Sequence, residues 1–151
     1  MFTDIRQWPH SARWFVSFWL CLVGLNYLLL LLEIWLDTRM QVALIAQGYG
    51  SFETAELAEH TFKYLFWMIG VWGMTLGIFL LSGYTEKMKR LVAVLVPVFI
   101  ISDIGSMWFV RFSSWFAAQM FFFGFMLALT FLVLFVLIQW QLWFGLPKIK
   151  G

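Results

Sequence analysis

The chain has 151 residues, of which 63% are hydrophobic and only 12% are charged. Soluble domains average about 25% charged residues, so this composition excludes an ordinary soluble domain and predicts a membrane protein. The net charge of +2 gives no basis for binding nucleic acid, and the single cysteine, Cys21, excludes an intramolecular disulfide.

Four long apolar runs predict four transmembrane helices. They cover residues 14–35, 62–83, 91–110 and 115–144. Each run meets the length of about 20 residues that a helix needs to cross the bilayer core. We therefore predict an all-α integral membrane protein in which residues 1–151 form one domain, a compact up-down-up-down bundle of four helices.

The first run carries three small residues on one side of the predicted helix, Ser17, Cys21 and Gly24. Small residues let two helix backbones approach closely in lipid, so this stripe predicts a packing groove. On the same helix, Asn26 and Glu33 are seven residues apart, which is almost two turns, and they therefore share one face. Because the run is too long for the apolar part of a signal peptide, we expect it to be retained.

The segment of residues 36–61 is predicted to be the one long loop. Its first part is mostly apolar and is expected to lie on the membrane interface or to dip into it. Ser51 is the candidate N-cap of the next helix, and Glu53 falls in the first turn, where an acidic residue suits the helix dipole. The second transmembrane helix is therefore predicted to begin outside the membrane near Phe52.

The second run contains the sequence G-x-x-x-G at Gly73 and Gly77, with Gly70 one turn earlier. We interpret this glycine stripe as a packing seam within the bundle, with a dimer or partner interface as the alternative.

The distribution of lysine and arginine predicts the topology. Seven of these residues lie on the side of the two termini, and three lie on the opposite side. The first set is Arg6, Arg13, Lys87, Lys89, Arg90, Lys148 and Lys150, and the second set is Arg39, Lys63 and Arg111. The positive-inside rule then places both termini in the cytoplasm, and we expect the protein in a bacterial inner membrane.

Asp103 is the most informative polar residue, because it lies eight residues before Arg111, inside the third run. At 1.5 Å per residue this is roughly 12 Å inside the outer boundary, where an ionisable side chain must face protein or water. Asn26 and Glu33 lie at depths that bracket it, which predicts a polar cluster in the outer half of the bundle. The candidate ligand-binding residues are Asp103, Glu33, Asn26, Ser106, Trp108 and Gln119. The alternative is that Asp103 only accepts hydrogen bonds that fix helix packing.

The sequence offers no candidate metal site, since His10 and His60 are predicted on opposite sides of the membrane. His60 alone is a candidate axial ligand for a cofactor such as haem or chlorophyll, and its alternative role is that of a solvated residue near a helix start. A nucleophilic triad, a phosphate loop and a cysteine pair are missing from the sequence, so we assign no catalytic residue.

Two functions follow from this reading. The first is a non-catalytic accessory or structural subunit of a larger membrane complex, respiratory, photosynthetic or similar. Its 18 Phe and 10 Trp residues would pack against other membrane subunits, lipids, quinones or pigments. The alternative is a small membrane protein or isomerase that binds a hydrophobic ligand in a polar pocket around Asp103 and Glu33. We favour the accessory subunit because no catalytic motif is present. A pore ranks last, because the inner half of the predicted bundle lacks a polar path.

Overall fold

The computed structural model describes residues 5–145. Lys148 and Lys150, which count toward the predicted topology, lie outside these residues. The described residues form five α-helices, a short 3-10 turn at Ile5–Gln7 and no strands. The helices are α1 (His10–Thr38), α2 (Val42–Gly50), α3 (Thr54–Leu80), α4 (Glu86–Phe109) and α5 (Trp115–Trp143).

Four of the helices are long and apolar enough to cross a membrane, namely α1, α3, α4 and α5. The shortest of them has 24 residues, which at 1.5 Å per residue exceeds the bilayer core thickness of about 30 Å. The predicted fold class, an all-α protein with four spans, is therefore confirmed. The helices α1, α3 and α4 begin before their apolar runs, whereas α5 lies within its run.

Most of the segment at residues 36–61, predicted as the connection between the first two spans, is helical. α1 continues to Thr38, and α2 fills the apolar part of the segment. The predicted N-cap of the next helix is wrong. The N-cap of α3 is Glu53, whose backbone N–H donates to the Glu56 carboxylate at 3.0 Å. The hydroxyl of Ser51 instead donates to the carbonyl of Gly48 at 2.7 Å, at the end of α2.

The core lies where the spanning helices turn their buried faces toward each other, and α4 and α5 form the most extensive pair. The buried face of α1 is formed by residues that are four, three and four positions apart, namely Val16, Leu20, Val23 and Tyr27. No residue of α1 beyond Tyr27 is buried. The short helix α2 lies against α5, where Ile45 packs with Val110 and Ala117. The C-terminal part of α1, from Leu28 onward, therefore contributes no buried residue to the bundle.

Two small residues of α1 face α5. The hydroxyl of Ser17 donates to Gln139 Oε1 at 2.8 Å and accepts from Trp143 Nε1 at 3.0 Å. A Cβ atom added at Gly24 would lie 3.6 Å from the ring of Phe131. Cys21, the third member of the predicted groove, is exposed. The stripe thus serves helix packing at two of its three positions.

The glycine stripe of α3 is not a packing seam within the bundle, and this prediction is wrong. A Cβ atom added at Gly70, Gly73 or Gly77 would meet no atom within 4 Å. The buried face of α3 is formed instead by larger residues, including Met68, Trp72 and Phe79. The glycines therefore border open space on the outside of the bundle.

The short loop between α3 and α4 is anchored to α5 by Tyr84. Its hydroxyl donates to the backbone carbonyl of Leu137 at 3.0 Å, and its ring stacks on Phe79 with centroids 5.6 Å apart. Burial raises the pKa of Tyr84, so this hydroxyl stays protonated and remains a donor at neutral pH.

Candidate functional site

Asp103 forms the centre of the candidate site. It lies on the buried face of α4 and is 6% exposed. The hydroxyl of Tyr64, on α3, donates to its Oδ2 atom at 2.5 Å. A carboxyl group in a membrane needs such a partner, because an unsatisfied polar group in hydrocarbon costs several kcal/mol. This hydrogen bond therefore fixes α3 against α4 at the depth of Asp103.

A second hydrogen bond joins the same two helices nearer the beginning of α3 and the end of α4. Trp108 Nε1 donates to the hydroxyl of Thr61 at 2.8 Å. Between these two links, the buried hydroxyl of Ser106 donates to the carbonyl of Ser102 at 2.7 Å, within its own helix. The hydroxyl of Ser106 and the indole N–H of Trp108 are thus satisfied by α4 itself and by α3, respectively.

Two further tyrosines lie near this pair. The ring of Tyr27, on α1, lies edge-on to Trp67, with centroids 5.7 Å apart, and is tilted on Phe131 at 5.0 Å. Tyr49, on α2, lies within electrostatic range of both Asp103 and Glu33. Burial raises the pKa of Tyr49, and these two carboxylates raise it further. Tyr27 and Tyr49 thus both lie within electrostatic range of Asp103.

The predicted site residues separate into three groups. Asp103 and Ser106 are buried, Trp108 and Gln119 are half-buried, and Asn26, Glu33 and His60 are exposed. The structure brings Asp103, Ser106 and Trp108 together along α4. Within residues 5–145, no hydrogen bond joins Asn26, Glu33 or Gln119 to Asp103. The polar cluster of the sequence prediction is thus divided between the interior of the bundle and its outer surface.

His60 takes part in an aromatic cluster at the start of α3. Its ring stacks on Phe52 with centroids 5.2 Å apart and lies 6.1 Å from the ring of Tyr49. Among the described residues, no group of three or more His, Cys, Asp or Glu side chains is placed to hold a metal ion.

Tyr64 and Thr61, which supply the α3 side of both hydrogen bonds, were not among the predicted site residues. Tyr64 is 39 residues away from Asp103, so no local spacing connects them. The available signal was a tyrosine inside an apolar run, because a buried tyrosine hydroxyl usually finds a hydrogen-bond partner.

A groove of about 320 Å³ separates α1 from α3. It is open to the outside of the bundle. Its walls are almost entirely apolar, and Asn26 is the one polar side chain that lines it. The principal lining residues are Trp19, Leu22, Asn26, Phe66, Trp67 and Gly70.

Comparison with known proteins gives one finding. The model of a family described as a transmembrane helical domain matches residues 51–149. The match includes the helices α3, α4 and α5, and therefore both hydrogen bonds of the candidate site. No curated protein and no solved structure matches the chain.

Proposed function

The chain belongs to the Aq_1264_TM family of transmembrane helical domains, and we propose that it is a non-catalytic accessory subunit of a larger membrane complex. It is an integral membrane protein with four helices that can span the bilayer. The proposal rests on one observation, which is the composition of the outward face of α3.

The α3 face consists of Phe62, Phe66, Ile69, Gly73 and Gly77. Its three large residues are 71%, 75% and 64% exposed, respectively. The two glycines follow along the same side of the helix, and nothing in the bundle approaches them within 4 Å of an added Cβ atom. In lipid, helices associate through close packing at small residues, so a ridge of large side chains continuing into a glycine notch suits another transmembrane helix.

We expect Gly73→Leu to remove the partner subunits, because the added side chain fills the notch where a partner backbone would approach. Gly124→Leu on α5 is the matched control, since an added Cβ there also meets no atom within 4 Å. The measurement is quantitative mass spectrometry of subunits that co-purify at constant ratio in mild detergent from the native membrane. Wild-type protein that purifies alone, at its native abundance, would contradict the accessory-subunit proposal.

We also propose that both termini lie in the cytoplasm, in a bacterial inner membrane, from the seven-to-three distribution of basic residues. In a Cys21→Ser background, Ser51→Cys is expected to react with a membrane-impermeant thiol reagent in intact cells. Lys87→Cys is expected to react only after the cells are opened. Both positions are exposed. Labelling of Lys87→Cys from outside intact cells would reverse the proposed orientation.

A second candidate function is the binding of a cationic hydrophobic ligand at Asp103. The observation that favours it is a buried carboxyl group that accepts a hydrogen bond from the hydroxyl of Tyr64. Such a pocket requires the charge of Asp103, whereas a packing role requires only a hydrogen-bond acceptor. The two candidate functions therefore differ in what they predict for Asp103→Asn.

A further inference from the structure

Two basic residues lie side by side near the beginning of α4. Lys87 and Arg90 are three residues apart, so their side chains project from the same side of the helix, and both are exposed. Within residues 5–145 neither of them forms an ion pair or a side-chain hydrogen bond. These two residues, the basic pair, are therefore a local concentration of unbalanced positive charge.

The charged residues around the basic pair do not neutralise it. Glu86 is the acidic residue in the first turn of α4, and its carboxylate lies 3.4 Å from the amine of Lys89. The Lys89 side chain is only 13% exposed, so this partner keeps to its own side of the helix. Arg13, on α1, donates to the backbone carbonyls of Trp8 and Leu142. The other bases described at this end of the bundle thus have partners within the chain.

The basic pair does not stabilise the helix that carries it. The N-terminal end of a helix bears a partial positive charge, so cations are unfavourable there, and neighbouring like charges on a helix repel each other. The positive-inside rule accounts for the number of bases on one side of the membrane, but not for two of them on one helix face. The basic pair therefore suits an anion that comes from outside the chain.

An apolar stripe continues from the basic pair along the same face of α4. At about 100° per residue, its members lie within roughly 40° of Lys87 around the helix axis. Ten residues separate the first member from the last, which corresponds to roughly 15 Å, or half of a bilayer core of about 30 Å. The stripe therefore spans the depth of one lipid leaflet, with the basic pair at its headgroup end. The α4 stripe consists of Leu91, Val94, Val98 and Ile101, which are 57%, 57%, 47% and 69% exposed, respectively.

We propose that the basic pair and the α4 stripe bind a phospholipid with a net negative headgroup. The headgroup phosphate lies between Lys87 and Arg90, and an acyl chain lies along the stripe. A guanidinium holds two phosphate oxygens with parallel N–H donors, and an ammonium adds a compact charge. A zwitterionic phospholipid also carries a phosphate, but its own cationic group is repelled by the basic pair. The charge of the site therefore selects the anionic class.

Native mass spectrometry of the purified full chain, titrated with phosphatidylglycerol or with phosphatidylethanolamine of identical acyl chains, tests the proposal. We expect the first phosphatidylglycerol to bind roughly thirtyfold more tightly, or about fivefold for each base. Lys87→Gln/Arg90→Gln is expected to bind the two lipids equally, whereas Lys87→Arg/Arg90→Lys keeps both charges and should keep the preference. An unchanged preference in the first double variant, or its loss in the second, would overturn the proposal.

The matched control removes the same amount of charge from the other end of the bundle. Arg39 and Arg111 are also exposed, and Arg39→Gln/Arg111→Gln is expected to keep the preference for phosphatidylglycerol. An equal loss in this control would show a general attraction between a basic protein and an anionic lipid, and would overturn the assigned site.

Two further outcomes separate the lipid from other occupants. Glycerophosphoglycerol, the same headgroup without acyl chains, should not displace the bound lipid; displacement would indicate a site for soluble phosphates and would overturn the role of the α4 stripe. A wild-type chain that binds neither lipid would also overturn the proposal, and a helix of another protein on the stripe would give this result. The inference is independent of the accessory-subunit proposal, because Gly73→Leu on the α3 face should leave the lipid preference unchanged.

Discussion

Phe131→Ala is expected to lower the free energy of unfolding by about 3–5 kcal/mol, the range measured for deleting a buried aromatic ring. Phe131 is 4% exposed and connects three helices at one point of the core. Its ring lies 5.0 Å from the ring of Tyr27 on α1 and 6.2 Å from that of Trp72 on α3. Removing it leaves a cavity that these neighbours cannot fill without moving apart. The measurement is reversible unfolding of the purified protein by sodium dodecyl sulfate in mixed micelles.

The control is Phe125→Ala, which removes the same side chain from the outward side of the same helix. Phe125 is 57% exposed, and in the membrane its ring contacts lipid, which fills the space that the substitution creates. We expect a change within about 0.5 kcal/mol, as for ordinary surface substitutions. Equal losses for the two variants would show that Phe131 does not hold α1 and α3 on α5.

The four spans were predictable because the bilayer imposes their length. A run of about 20 apolar residues without charge has few other stable conformations in lipid, where each backbone group must be bonded within its own helix. The start of α3 near Phe52 was also predicted to within two residues, since Thr54 begins the helix. Local signals of composition and charge are sufficient for statements of this kind.

The helix α2 was missed because nine residues are too few for a periodic pattern to decide their structure. Its apolar residues were expected at the membrane surface, but no local signal showed that Ile45 packs against Val110 and Ala117. Those contacts join segments more than 60 residues apart in the sequence. Such contacts depend on the arrangement of the helices, which composition does not encode.

The direction in which a helix face points was equally unpredictable. A glycine stripe serves close packing whether the neighbouring helix belongs to the same chain or to another one. The sequence alone favoured packing within the bundle, yet Gly73 borders open space. Likewise, the shared face of Asn26 and Glu33 was predicted from their spacing, but its exposure was not. The structure separates these two residues from Asp103 because α1 turns a different face to the core.

Tyr64→Phe is expected to lower the free energy of unfolding by about 1–3 kcal/mol, because it leaves a buried carboxyl oxygen without its side-chain donor. Adding Asp103→Leu to the same variant should recover most of this loss, since the group that needed the bond is then absent. Asp103→Asn should stay close to the wild type, because its amide oxygen still accepts the bond from Tyr64. Unfolding measurements on the wild type, the single variants and the double variant form a closed cycle. Additive effects of the two substitutions would show that the two side chains do not interact.

The same Asp103→Asn variant distinguishes the two candidate functions. An accessory subunit that uses Asp103 only for packing should keep its partner subunits and its stability when the charge is removed. A protein that binds a cationic ligand at Asp103 should lose that ligand while the fold persists, because the amide cannot neutralise a positive charge. Native mass spectrometry of protein purified in mild detergent reports both the subunits and any bound molecule. We expect Asp103→Asn to retain the full set of subunits; loss of a bound cation with an intact fold would favour the ligand-binding function instead.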